Sequence, residues 1–288
     1  MRYSPQSRAI VALVFGASAI AFAPIFVRIS DISPTASAFW RMALAVIPLW
    51  LWVLAERKKV LHPAPLPWKP LVLAGFFFAG DLAVWHLSIS FTSVANATLE
   101  LNLAPIFVTL GAWFLFGHRV SPLFLFALAV TLTGASFLIG PNVGSSGKAL
   151  VGDGLGILAG LSYACYMLTI KSAVKTVSTA RIMAANTTVA AIILAPYALF
   201  TADVFLPQSA NGWLVLCGLA IFVHVLGQSL IAYGFAHLSA SFSSASLLLQ
   251  PVMAAVYAWV LLGEQMGALQ ITGGLVVLSG IYLAKRGS

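Results

Sequence analysis

Apolar runs of about twenty residues recur along the whole chain, near 8–28, 36–55, 68–90, 95–116, 122–140, 152–174, 181–201, 212–233, 240–262 and 268–285. Each is enough for one helix to cross a hydrocarbon core about 30 Å thick. The runs lack the period-two alternation of a membrane barrel, and a spanning segment must satisfy its backbone polar groups internally, so helices follow. The sequence therefore predicts an all-α polytopic membrane protein with ten transmembrane helices. With 61% hydrophobic and 8% charged residues, it is far from the roughly one-quarter charged composition of a soluble domain. The first run precedes no small-residue cleavage site with a soluble mature domain behind it, and it reads as a retained span.

A formal net charge of +8 does not point to nucleic acid, because the basic residues form short clusters between apolar runs and no basic face. Ten spans put Arg2, Arg8, Arg57, Lys58, Lys59, Lys69, Arg119, Lys171, Lys175, Arg181, Lys285 and Arg286 on one side. The other side holds Lys148, with Arg28 and Arg41 near that end of their helices. The positive-inside rule then makes both termini cytoplasmic. Cys165 and Cys217 lack metal or redox spacing and read as buried packing residues. Gly152-Asp153-Gly154-Leu155-Gly156 has no preceding strand and no Lys-Ser/Thr, so it is no nucleotide loop. No cofactor and no metal site is expected.

The segment from Ala104 to Gly117 recurs from Gln250 to Gly263, a shift of 251 − 105 = 146 positions. At that shift Pro105, Ala112, Trp113, Leu115, Gly117, Leu132 and Gly134 meet Pro251, Ala258, Trp259, Leu261, Gly263, Leu278 and Gly280. The fourth and ninth spans, and the fifth and tenth, read as copies, which places one repeat over 8–140 and another over 152–285. Because five spans per copy is an odd number, the second copy enters the membrane inverted, an arrangement found in secondary transporters.

These residues resemble the EamA-type repeat of the drug/metabolite transporter superfamily, which carries a Pro at the start of its fourth helix, then a Trp and a Gly-Glu turn. The turn is Gly263-Glu264 in the second half, whereas the first half departs from the pattern with Gly117-His118. Trp40-Arg41-Met42-Ala43 is similar to the aromatic-Arg-x-x-Ala start of the family's second helix. The resemblance implies a ten-helix carrier with cytoplasmic termini in a bacterial inner membrane. Length and aromatic-rich apolar helices look most like the bacterial aromatic amino acid exporters, which also handle paraquat.

Ionisable groups inside a bilayer are costly and mark function or a buried partner. Asp81, His86 and Glu100 are candidates for proton coupling or for binding an ammonium, with a structural ion pair such as Arg41 with Glu100 as the alternative. His224 is a further intramembrane candidate, and Lys171 is expected to snorkel to the cytoplasmic edge. Pro105 and Pro251 lie inside spans and are expected to form a paired kink or hinge, with Asn102 and Gln250 facing substrate. Trp85 and Tyr163, with Tyr166 beside it, are candidates to stack on an aromatic or cationic substrate. Asn96, Gln228 and Ser243 supply neutral polar groups. Trp113 and Trp259 read as packing or interfacial residues, and Gly152, Gly156 and Gly160 as a surface for close helix approach.

Together these features predict a secondary carrier, read as a monomer, that exports small apolar or aromatic metabolites by alternating access, aromatic amino acids first among them. Export of other metabolites or of cationic drugs is the alternative. A membrane enzyme is disfavoured by the absence of HExxH and GxSxG motifs. A channel would pass substrate without saturation.

Overall fold

The computed structural model describes residues 4–57, 66–89, 91–92, 100–117, 119–139, 147–174, 177–263 and 265–288. All regular secondary structure among them is helical. In chain order the elements are α1 (Pro5–Ile20), α2 (Ala23–Ile29), α3 (Pro34–Arg57), α4 (Trp68–Ile89), α5 (Ala104–Phe116), α6 (Pro122–Ile139), α7 (Gly147–Ala173) and α8 (Thr179–Thr201). Then come α9 (Ala210–Gly218), a π-helical stretch over Leu219–Gln228, α10 (Ser229–His237), α11 (Ala240–Ser246), α12 (Leu249–Leu262) and α13 (Ala268–Gly287).

Among the described residues, eight stretches are long and apolar enough to cross a bilayer: Pro5–Ile29, Pro34–Glu56, Trp68–Ser88, Gly147–Ala173, Thr179–Thr201, Ala210–His237, Ala240–Leu261 and Ala268–Gly287. Ala104–Phe116 and Pro122–Leu138 are apolar but shorter. Outward side chains are themselves apolar, with Phe200 88% and Phe114 75% exposed, and a belt of this kind is a membrane-facing surface. Pro5, Pro34 and Pro122 open their helices, where a missing N–H costs no bond. Ser209 and Ser239 cap α9 and α11 by accepting from Gly212 N at 2.9 Å and Phe242 N at 3.3 Å.

Three runs expected to be continuous are broken. The first is interrupted at Ala21–Phe22, the fourth at Asn102–Leu103 and the ninth at Leu247–Leu248. Pro105 and Pro251 therefore do not kink an unbroken helix; each lies in the first turn of a new one, where it removes no internal bond. Tight i to i+3 bonds close both breaks. Leu103 N donates to Glu100 O at 3.0 Å and Ile106 N to Leu103 O at 2.9 Å; Leu247 N donates to Ser244 O at 3.0 Å and Gln250 N to Leu247 O at 2.9 Å. Gly117 and Gly263 end α5 and α12 at φ of 66° and 69°, a left-handed cap that glycine adopts without penalty.

Packing joins the N-terminal half to the C-terminal half. α6 pairs with α13, α4 with α7, α3 with α8, and α1 with α10 and the π-helical stretch. At the α6–α13 seam, a methyl group placed on Gly134 would stand 2.6 Å from Val277 N and 2.8 Å from Gly273 O. One placed on Gly280 would stand 2.8 Å from Thr131 N and 3.0 Å from Ala127 O. Adding 146 to 134, 131 and 127 gives 280, 277 and 273, so the two glycines meet corresponding backbone atoms.

One other expectation is corrected. Cys165 is half-buried and Cys217 is exposed, so the second is no packing residue. Lys171 Nζ donates to Phe235 O at 2.7 Å and Leu238 O at 2.6 Å, binding the open carbonyls at the end of α10.

Candidate functional site

Phe78, Asp81 and Trp85 are spaced by three and four residues and share one face of α4. This face is turned to the other half of the chain. Asp81 is buried within electrostatic range of Arg41 of α3, with no salt bridge between the two among the described residues, and Tyr163 and Tyr166 of α7 are also within that range of the guanidinium. Of the two carboxylates, Asp81 rather than Glu100 acts on Arg41 at this range.

Beside these two residues runs a column of rings. Tyr163 and Tyr166 stack at 5.9 Å, Tyr166 and Phe78 at 4.6 Å, and Phe78 and His224 at 5.6 Å between centroids. Gln228, one turn beyond His224, donates from Nε2 to Tyr166 Oη at 3.1 Å. Thr187 Oγ1 lies 2.8 Å from His224 Nε2 and donates to Asn186 Oδ1 at 3.2 Å. Because the hydroxyl has one proton, donation to Asn186 leaves its oxygen to accept from an Nε2–H, which fixes the His224 tautomer. Thr187→Val should leave that N–H buried and unpaired and lower stability by about 1–3 kcal/mol. A thermal denaturation in detergent checks this, and an unchanged midpoint would deny the bond a role.

Asn102, Pro105, Tyr163 and Gln250 line one cavity of about 40 Å³ at the two helix breaks, together with Ser244. This holds a few waters at most, well short of the roughly 300 Å³ of a small-molecule pocket, so a metabolite must part its walls. Trp85 and His86 form an edge-to-face pair at 5.0 Å. His86 Nδ1 donates to Leu82 O at 2.6 Å, which leaves Nε2 as the acceptor of a neutral ring. Pro251 lies on α12 outside the residues lining the cavity. Asn96 lies outside the described residues, as do His118 and Glu264 of the two turns.

Glu100 turns to α7. Its carboxylate packs against Gly156 and interacts with Asp153, whose Oδ1 accepts from Thr92 Oγ1 at 2.7 Å. The glycine stripe permits this approach: a methyl on Gly160 would stand 3.0 Å from Glu100 O, and one on Gly152 2.7 Å from Thr92 N. Trp113 and Trp259 are about half exposed near the ends of α5 and α12, in keeping with an interfacial place.

Among the described residues, several of these candidates carry buried polar atoms that are unsatisfied, donors and acceptors alike. Arg41 Nε, Trp85 Nε1, Asn186 Nδ2 and Gln250 Nε2 are buried donors without a hydrogen-bond partner. Asp81 Oδ1, His86 Nε2, Glu100 Oε2 and His224 Nδ1 are buried acceptors in the same state, and Ser243 Oγ is a buried hydroxyl without one. Each such atom costs about 1–3 kcal/mol in a protein interior, so a concentration of them calls for a role beyond packing. Phe78, Asn186 and Thr187 were not singled out from sequence. The Asn186-Thr187-Thr188 run inside an apolar span was an available signal; Phe78 was hidden in Phe76-Phe77-Phe78, where only helix phase separates it from its neighbours.

The sequence pattern of the EamA-like transporter family matches residues 7–140 and 150–286. An uncharacterized transporter of Archaeoglobus fulgidus is 28% identical over 289 residues, covering 99% of this chain and 97% of its own. The pseudopaline exporter CntI of Pseudomonas aeruginosa is 26% identical over 251 residues, covering 86% of this chain and 84% of its own. A solved crystal structure superposes with a TM-score of 0.84 over 99% of this chain and 98% of its own at 16% identity, which is a shared fold. A polytopic membrane chain with two matches to one transporter pattern, one in each half, belongs to the EamA-like transporter family.

Proposed function

We propose that this protein is a secondary carrier that exports small zwitterionic metabolites by alternating access, with aromatic amino acids as the first substrates to test. The observation that carries the reading is the presence of buried Arg41 and Asp81 within electrostatic range of each other, each with an unsatisfied polar atom, beside the rings of Phe78, Tyr163 and Tyr166. A substrate carboxylate suits the Arg41 guanidinium, an ammonium suits Asp81, and an aromatic side chain suits the ring column. Asn102, Gln228 and Gln250 supply neutral contacts, and Trp85, His86 and Glu100 complete the candidate set. Asp81, His86 and Glu100 are the candidate proton-coupling groups.

Ten spans in two inverted repeats, 8–140 and 152–285, fit this reading, with the apolar helices α5 and α6 as parts of the two spans that fall short by length. Support comes from the contacts of Gly134 and Gly280, related by the same shift as the sequence repeat, and from the matched breaks before Pro105 and Pro251. The breaks serve as hinges: the small cavity beside them opens as the halves rock. Both termini are cytoplasmic by charge, in a bacterial inner membrane, and the carrier acts as a monomer. A second reading, export of a different metabolite, is favoured by the relative that exports pseudopaline.

Purified protein in liposomes preloaded with unlabelled phenylalanine should show saturable uptake of labelled phenylalanine, with and without a pH gradient. Saturable exchange of another metabolite but of no aromatic amino acid would shift the assignment to the second reading. Folded protein giving no saturable exchange of any metabolite would sink the carrier mechanism.

A further inference from the structure

A groove of about 210 Å³ lies between α1, the α11–α12 break and α13. Ile10 and Val14 form one wall, Phe242 and Leu249 a second, and Leu278 the deep end of the third, which finishes at Lys285. From Leu278 to Lys285 the helix rises about 10 Å, a large part of one leaflet of a hydrocarbon core about 30 Å thick. The groove follows the helix axis, as a lipid chain does.

Its chemistry has two parts. The walls are apolar, and Ser246 does not change this because its hydroxyl is engaged with Phe242 O at 2.8 Å. The mouth is cationic: Lys285 lines it, and the Arg286 guanidinium lies 4.8 Å from the centroid of the Tyr282 ring at the same end. No acidic residue lines the groove among the described residues. An apolar slot that ends in positive charge at a membrane edge matches an acyl chain joined to an anionic headgroup.

The internal repeat says why the slot is open. Ser246 stands 146 positions after Glu100, and in the first half the Glu100 carboxylate and backbone fill the seam against Gly156 and Gly160. In the second seam Ser246 stands in place of Glu100, and Ile10 and Val14 stand in place of Gly156 and Gly160, so an apolar wall replaces the carboxylate and a groove remains between them.

We propose that this groove binds one anionic phospholipid, its acyl chain along α13 and its phosphate on Lys285. The symmetry argument rests on the inverted-repeat reading, while the lipid site itself can be tested without transport. The full chain in mild detergent, incubated with equal phosphatidylglycerol and phosphatidylcholine, is examined by native mass spectrometry. One retained lipid per chain is expected, with phosphatidylglycerol preferred about fivefold, the discrimination given by one lysine near an anionic headgroup. Lys285→Gln should bring the preference close to unity, and Leu249→Trp, which fills the slot, should remove the retained lipid at an unchanged melting temperature. Leu278→Phe is the second filling variant should Leu249→Trp not fold. Equal retention of both lipids, a preference that survives Lys285→Gln, or retention that survives a folded filling variant would each overturn the proposal. Lipid retained by protein that shows no metabolite exchange would leave this site standing and count against the carrier reading alone.

Discussion

Asp81→Asn is expected to reduce saturable exchange at least about 30-fold, since removing the buried carboxylate offered to a substrate ammonium forfeits a charged contact of about 2–5 kcal/mol. The same substitution should lower folded yield, because Arg41 is left buried without its counter-charge, a loss of about 3–5 kcal/mol in such settings. The informative variant is the double one. Arg41→Gln with Asp81→Asn removes both charges, so neither is left uncompensated and stability should return close to that of the parent. Exchange should not return, because the guanidinium and carboxylate offered to a zwitterion are both gone. If the double variant regained both stability and exchange, the pair would be a structural staple and substrate recognition would lie elsewhere. Exchange is read in liposomes and stability by thermal denaturation, so the two outcomes separate cleanly.

That Asp81 rather than Glu100 would lie within electrostatic range of Arg41 was not legible in the sequence. Both were visible as intramembrane charges, but depth alone offered Glu100 as a partner just as readily. Rotation about the helix axis decides such a pairing, and an apolar run does not encode rotation when it is apolar on every side, as the Leu-, Phe- and Ala-rich faces of α4 are. The prolines show the same limit in a different form. Pro105 and Pro251 mark the two special points of the chain, yet a proline in a helix interior and one opening a new helix look alike in sequence. The bonds at Leu103 and Leu247 distinguish them. Asn102 and Gln250 were legible as substrate-facing candidates, Tyr163 as a stacking candidate and Pro105 as a hinge; that all four line one cavity is a fact of the fold. The π-helical stretch carrying His224 and Gln228, which packs against α1 and α3, had no visible signature in the sequence.

Alanine at Gly134 or at Gly280 should produce nearly equal and large losses of stability. In each case the added methyl meets backbone atoms of the facing helix at 3.0 Å or less, and backbone cannot swing aside as a long side chain does. The helices must separate, losing contacts along the whole α6–α13 seam. Overpacking of this kind costs about 1–3 kcal/mol and occasionally more, and backbone contacts place these sites at the upper end. The double variant discriminates further. Once one methyl has parted the helices, the second enters space already opened, so the combined loss should fall short of the sum, as coupled sites at one interface do. Unfolding by denaturing detergent measures all three variants. Equal single losses with a sub-additive double are what a pseudo-twofold seam requires; a large loss at one glycine with none at the other would break the correspondence between the repeats at this seam, even with the sequence match intact.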